Sequence, residues 1–191
     1  MAQGIEHMIQ SEKSQKIYID LINGRIINKS ILNEKQWFPN PDYTELFSNI
    51  EMYTELYRNI GFELVFRDSF FFIRDLNLGD TYKETAIKIQ VILLIISRKI
   101  TEAGFGYDLL DNENAGVSVQ QLHEFSTQED VKQLITAAKL GKKTLLEVVK
   151  DVMLERNIMN KNTYDRYILS DAGKYFFSKL FDQDEANNAL E

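Results

Sequence analysis

The chain has 191 residues, 44% of them hydrophobic, with no cysteine and a formal net charge of −7. That length builds one large domain or two small ones with packed cores, and the missing cysteine excludes disulfides and thiolate metal sites. An acidic chain also lacks the basic excess of a protein that mainly grips a phosphate backbone, although a local basic patch stays open.

Residues 1–15 are polar and read as a loose N-terminus, without the basic and apolar regions of a signal peptide. Over 16–32, KIYIDLINGRIINKSIL sets Ile17 and Leu21, then Tyr18 and Ile22, at helical spacing. Gly24 interrupts it, so we expect a helix, a bend at 23–24 and a second short helix over 28–33. QWFPNP, 36–41, reads as a turn, because Pro39 and Pro41 disfavour helix in the residues before them. Asn40 or Asp42 caps the next helix, with Pro41 in its first turn. Tyr43, Leu46, Phe47, Ile50, Tyr53, Tyr57 and Ile60 make one stripe along it, and Gly61 stops it. Strands over 62–66 and 70–74 then flank Arg67, Asp68 and Ser69 as a wing.

A polar loop at 77–81 is the best internal boundary. Asp80 or Thr81 caps a long helix over 82–103, ending at Gly104. Its apolar run IQVILLII, 89–96, is far shorter than the roughly 20 residues of a membrane span, so it reads as a buried helix. Residues 105–116 form a loop. Ser118 caps a helix over 119–125, Thr127 starts another over 128–140, and 141–144 is a basic turn. A last long helix, 145–157, gathers Leu145, Val148, Val149, Val152 and Met153 on one face. Residues 164–169 are strand-like, and 170–182 begin a closing helix.

A helix followed by a small hairpin thus occurs twice, over 41–75 and about 143–181. The expected fold is mainly α with small β-hairpins, in the α+β class: tandem winged-helix domains. The first spans 16–78. The second, with the long linking helix, spans 79–182. Flexible ends, 1–15 and 183–191, flank them. The duplication is architectural, with no exact sequence repeat.

No catalytic constellation accompanies this outline. The two histidines, His7 and His123, stand apart, and no HExxH, GxSxG, P-loop or GxGxxG occurs. GFGYD at 104–108 lacks the strand–helix setting of a phosphate loop. Asp108, Asp111, Asn112 and Glu113 lack the register of a calcium loop. We expect no catalytic residue, cofactor or metal, and therefore an adaptor rather than an enzyme.

In the wing, alternation puts Phe71 and Ile73 on one face and Phe70 and Phe72 on the other. Either the long helix or an N-terminal segment covers the outer face, or it is a protein-docking surface. Tyr53, Tyr57, Phe70, Phe71, Phe72 and Ile73 are the candidate partner-binding residues. The tip offers only Arg67, countered by Asp68. Lys142, Lys143, Lys150, Lys161 and Arg166 are the candidate DNA contacts, but Glu147, Asp151, Glu155 and Asp165 interleave with them as on an ordinary solvated face.

INGRIINK at 22–29, the helix-then-wing ending YRNIGFELVFRDSFFFIRD at 57–75, and YILSDAGKYF at 167–176 together resemble the MukE/MksE-like subunits of bacterial condensins. The likeness covers most of 16–181, and the chain length is closer to the MksE-like branch. The resemblance implies a kite protein of tandem winged-helix domains that forms a homodimer and binds a MukF- or MksF-like kleisin. Through the kleisin it implies a MukB- or MksB-like SMC ATPase, and it implies non-specific DNA as a further contact. The implied setting is cytoplasmic and nucleoid-associated, without membrane, in chromosome organisation and segregation or in plasmid restriction. The rival reading is a dimeric winged-helix transcription regulator with 145–157 as its recognition helix.

Overall fold

A computed structural model describes residues 11–33, 36–77 and 81–188. The chain begins with α1 (Ser11–Ile22), followed by β1 (Ile27–Asn28), β2 (Ser30–Asn33) and β3 (Gln36–Pro39). Next come α2 (Pro41–Ser48), α3 (Ile50–Asn59) and the hairpin of β4 (Phe62–Arg67) and β5 (Phe70–Asp75). A long α4 (Thr81–Glu102) and a 3-10 turn (Tyr107–Leu110) lead to β6 (Val117–Ser118), α5 (Val119–Thr127), α6 (Glu129–Ala137) and α7 (Leu145–Val148). β7 (Met159–Lys161), β8 (Arg166–Leu169) and α8 (Asp171–Asn188) close the chain. Two antiparallel sheets, β1-β5-β4 and β6-β8-β7, each put the last strand in the middle. In both, helices lie between the first and second strand, so the winged-helix arrangement occurs twice, as expected.

Four expectations change. Residues 28–33 are not helix, and 36–39 are not a turn: β2 and β3 pair as a separate hairpin, Ile31 opposite Phe38 and Leu32 opposite Trp37. Branched and aromatic residues suit that pleated pairing, and Pro39 sits where a ladder ends. The stripe over 43–60 is broken into α2 and α3 at Asn49. The Asn49 side chain donates to the Glu45 carbonyl and carboxylate, both at 3.1 Å, the kind of local bond that competes with helix. The helix expected over 145–157 is a short α7 continued by a π-helical turn, Val149–Leu154. His7, Asp80 and the ends 1–10 and 189–191 lie outside the described residues, while α1 starts at Ser11 and α8 runs on to Asn188.

The caps at Asn40 and Ser118 follow the sequence, while Thr127 ends α5 and leaves α6 to start after Gln128 without a side-chain cap. Asn40 accepts from the Asp42 N–H at 3.0 Å. Ser118 with Gln121, and Thr144 with Glu147, form two capping boxes at the starts of α5 and α7.

The first sheet has a core on each face. Phe71, Leu64 and Ile27 pack on α1, α2 and α3 with Leu46, Tyr53 and Tyr57. Phe70 belongs to the larger core of α4, α5, α7 and the second sheet. The outer face of the first wing is therefore covered by the long helix α4, as one expectation had it, together with the C-terminal helix α8, which the sequence did not suggest.

An ion cluster ties α4 to α6. The buried Lys99 ammonium lies 2.7 Å from both Glu102 and Asp130. Hydrogen bonds from Lys99, then from Arg98, hold the Glu102 carboxyl below its ordinary range, and Lys99 chiefly does the same for Asp130. Depressed carboxylates stabilise the fold above their unfolded pKa, near 4, and the contribution disappears as pH falls through the folded value. Lys99→Met should therefore lower the Tm most at neutral pH, with the gap from wild type narrowing in melts taken below about pH 4. An unchanged gap across that range would remove the cluster from the pH dependence.

Candidate partner interface

The two winged helices meet at β1. Asn28 is buried. Its amide nitrogen donates to the Asn157 carbonyl at 2.8 Å, and its side-chain oxygen accepts from the Ala172 N–H at 2.9 Å, at the start of α8. Asn157, held at φ +58°, donates back to the Ile26 carbonyl at 3.0 Å. Ser170 donates to the Asn157 carbonyl at 2.7 Å, and the Ser30 N–H donates to Asp171 at 2.8 Å. The Ile26 N–H adds a bond to the Arg156 carbonyl at 3.1 Å. Segments 22–29 and 167–176, which carried the family resemblance, thus form one junction. Its approach is close: a Cβ on Gly173 would fall 2.1 Å from the Ile158 carbonyl. Gly24, at φ +76°, lies directly against the Arg156 guanidinium.

Of the six residues nominated for partner binding, four are interior. Tyr53, Tyr57, Phe70 and Phe71 are at most 1% exposed, because α1 and α3 cover one face of the wing and α4 and α8 the other. Tyr53 and Tyr57 stack at 6.2 Å. Burial pushes the Tyr53 phenol up to about 12, helped by Glu45, and raises Tyr57 as well, so both stay neutral. Phe72 and Ile73 remain half-buried. They border a cleft of about 250 Å³ shared with Leu21, Ile89, Arg156 and Phe176.

The sequence also pointed to the polar edge of the helix over 43–60 for partner contact, and the outer face of α3 lies there. Met52, Leu56 and, at its C-terminal cap, Ile60 are exposed there, with Glu51, Glu55 and a single basic residue, Arg58, beside them. In a DNA-reading winged helix this position carries base- and phosphate-seeking side chains. An apolar and acidic face suits protein contact instead. The i, i+4 and i+8 spacing of those three residues was the available signal.

Three of the five nominated basic residues are engaged by groups close to them. Lys143 pairs with Asp151 and Lys161 with Asp165, each at 2.8 Å. Arg166 donates to the Gly116 carbonyl at 3.3 Å. Lys142 and Lys150 are exposed and make no ion pair among the described residues. No described helix is long and apolar enough to cross a membrane.

Comparison with known proteins gives one assignment. No curated protein matches the chain. A family model described as condensin complex protein MksE matches residues 12–181. That span takes in α1, both winged helices, the junction between them and most of α8, and on it the chain belongs to the MksE family of condensin complex proteins.

Proposed function

We propose that the chain is a non-enzymatic accessory subunit that works as a homodimer and binds a kleisin of the MukF/MksF type. The kleisin connects it to a MukB/MksB-type SMC ATPase on the nucleoid, in the cytoplasm. The assembly serves chromosome organisation and segregation, with plasmid restriction as a specialised use. The family match over 12–181 carries this reading. The outward apolar and acidic face of α3 supports it, since that face favours protein over duplex. Lys142 and Lys150 are the residues we assign to non-specific phosphate contact.

Affinity purification from the native host at moderate salt, with bound proteins identified by mass spectrometry, tests the reading. A long coiled-coil ATPase and a kleisin-sized chain should co-purify. Recovery of the protein with specific DNA fragments and no such partners would instead support the transcription-regulator reading. Phe72→Asp, which puts a charge on the half-buried cleft wall, should reduce kleisin recovery by about tenfold. Full recovery with a folded variant would remove Phe72 from the interface.

A further inference from the structure

We propose that the edge of β5 beyond Phe71 receives an extended segment of a partner chain, apolar at alternate positions and acidic beside them. The proposal deepens the protein-binding reading above and rests on it for the partner's identity, but not for the site.

The backbone identifies the edge. Along an antiparallel strand, successive residues direct their N–H and C=O to opposite neighbours. Lys29 N–H donates to the Ser69 carbonyl at 2.8 Å, and Phe71 pairs with Ile27, so odd-numbered residues face the β1 side. Ile73 and Asp75 follow in that series. In the register of β1 the residue opposite Ile73 would be Arg25. The chain is diverted before it gets there: the Ile26 N–H is taken by Arg156 at 3.1 Å and the Arg25 N–H by the Asp20 carbonyl at 3.0 Å. The ladder therefore stops after two residues. The Ile73 N–H and C=O and the Asp75 N–H face the gap without a partner among the described residues.

The gap has the walls a guest strand needs. It is the cleft bordered by Phe72, Ile89 and Phe176 on its apolar side and by Arg25, Arg74 and Arg156 on its rim, with Asp75 as the opposing charge. Unpaired strand backbone beside an apolar wall is the arrangement used in β-augmentation: main-chain bonds give affinity and alternate side chains fill the wall. The rim decides the guest's charge. Arg25 is engaged by Asp20 at 3.0 Å, and Arg74 by Glu63. Arg156 is half-buried and donates to the Gly24 carbonyl at 3.2 Å, with no carboxylate partner among the described residues. A guanidinium has five donors in a fork that matches a carboxylate. Arg156 therefore asks the guest for a carboxylate, which makes an acidic residue in the segment the complement of this rim.

The test is selection of random peptides displayed on phage against the purified full-length protein, counter-screened with Ala86→Trp. Ala86 lines the cleft from α4 and is half-buried, so the indole fills the gap; a thermal melt checks that the variant is folded. Enriched peptides should alternate apolar residues with Asp or Glu, and Ala86→Trp should weaken them about tenfold or more. Bound peptide should also slow amide exchange at Ile73 and Asp75 by about tenfold. No enrichment, equal binding to Ala86→Trp, or protection elsewhere would overturn the proposal. So would self-association that Ala86→Trp abolishes without peptide enrichment, which would give the edge to a second copy. If Ala86→Trp does not fold, the exchange measurement on wild type decides alone. The selection needs no condensin partner, so its failure is distinct from an empty affinity purification.

Discussion

Phe70→Ala is expected to cost about 4 kcal/mol of stability, which for a chain of this size lowers the Tm by roughly 8–16 °C. Phe70 is fully buried, and its ring lies 5.3 Å from Tyr175 and 6.2 Å from Phe176 in α8, and 6.1 Å from Phe72. It is a wing residue of the first module inside the core of the second. Truncation leaves a cavity whose walls come from β5, α4 and α8, elements that cannot all close on it at once. Hydrogen exchange should show α8 opening before the first module, because its aromatic contact with the wing has been lost. A loss below about 1 kcal/mol in urea titrations would mean that the modules are joined mainly elsewhere. Phe72→Ala should cost less, since its side chain is only half-buried.

Asn28→Ala should cost about 3 kcal/mol, or a fall in Tm of roughly 6–12 °C. The two bonds lost differ in consequence. The Asn157 carbonyl keeps its Ser170 donor, so little is orphaned there. The Ala172 N–H, in the first turn of α8 and buried, is left without the Asn28 oxygen, and an unsatisfied buried donor bears a full desolvation penalty. Asn28→Asp separates the contributions. It keeps an acceptor for Ala172 but loses the donor to Asn157, and it sets a carboxylate against that carbonyl. It should therefore be no better than alanine at neutral pH and should recover somewhat in acid as the group protonates. If both variants melt with wild type, the junction's side-chain bonds are dispensable.

Much of this fold was readable where local chemistry decides. Asn40 and Ser118 mark helix starts through bonds to their own neighbours, Pro41 does so through its fixed φ, and Gly61 stops α3 at φ +88°. The hairpin of β4 and β5 was plain from its aromatic and branched runs. What was missed depends on partners distant in the chain. β1 is two residues long and is a strand only because β5 lies beside it; read alone, its residues continue a helical period. β7 is three residues paired with β8. The π-helical turn shifts one bond per turn without changing the apolar pattern that predicted a helix. The interface was harder still. Four adjacent apolar residues in β5 could not be assigned as core or surface until α8 was known to lie across the outer face, and α8 is far away in sequence. The open edge at Ile73 is invisible to any side-chain pattern, since it arises from where Arg25 and Ile26 send their backbone.

The short strand β1 has a mechanical consequence. It is bonded on one side to the wing and through Asn28 and Ile26 to the far module, while Phe70 plugs the space between. Among the described residues, these bonds run directly from one winged helix to the other. The chain acts as a strut: a pull or twist applied to one winged helix reaches the other as displacement instead of being absorbed in a flexing linker. Whatever grips its two ends is held at a fixed separation and angle, so any large movement in the assembly must occur at the joints between subunits.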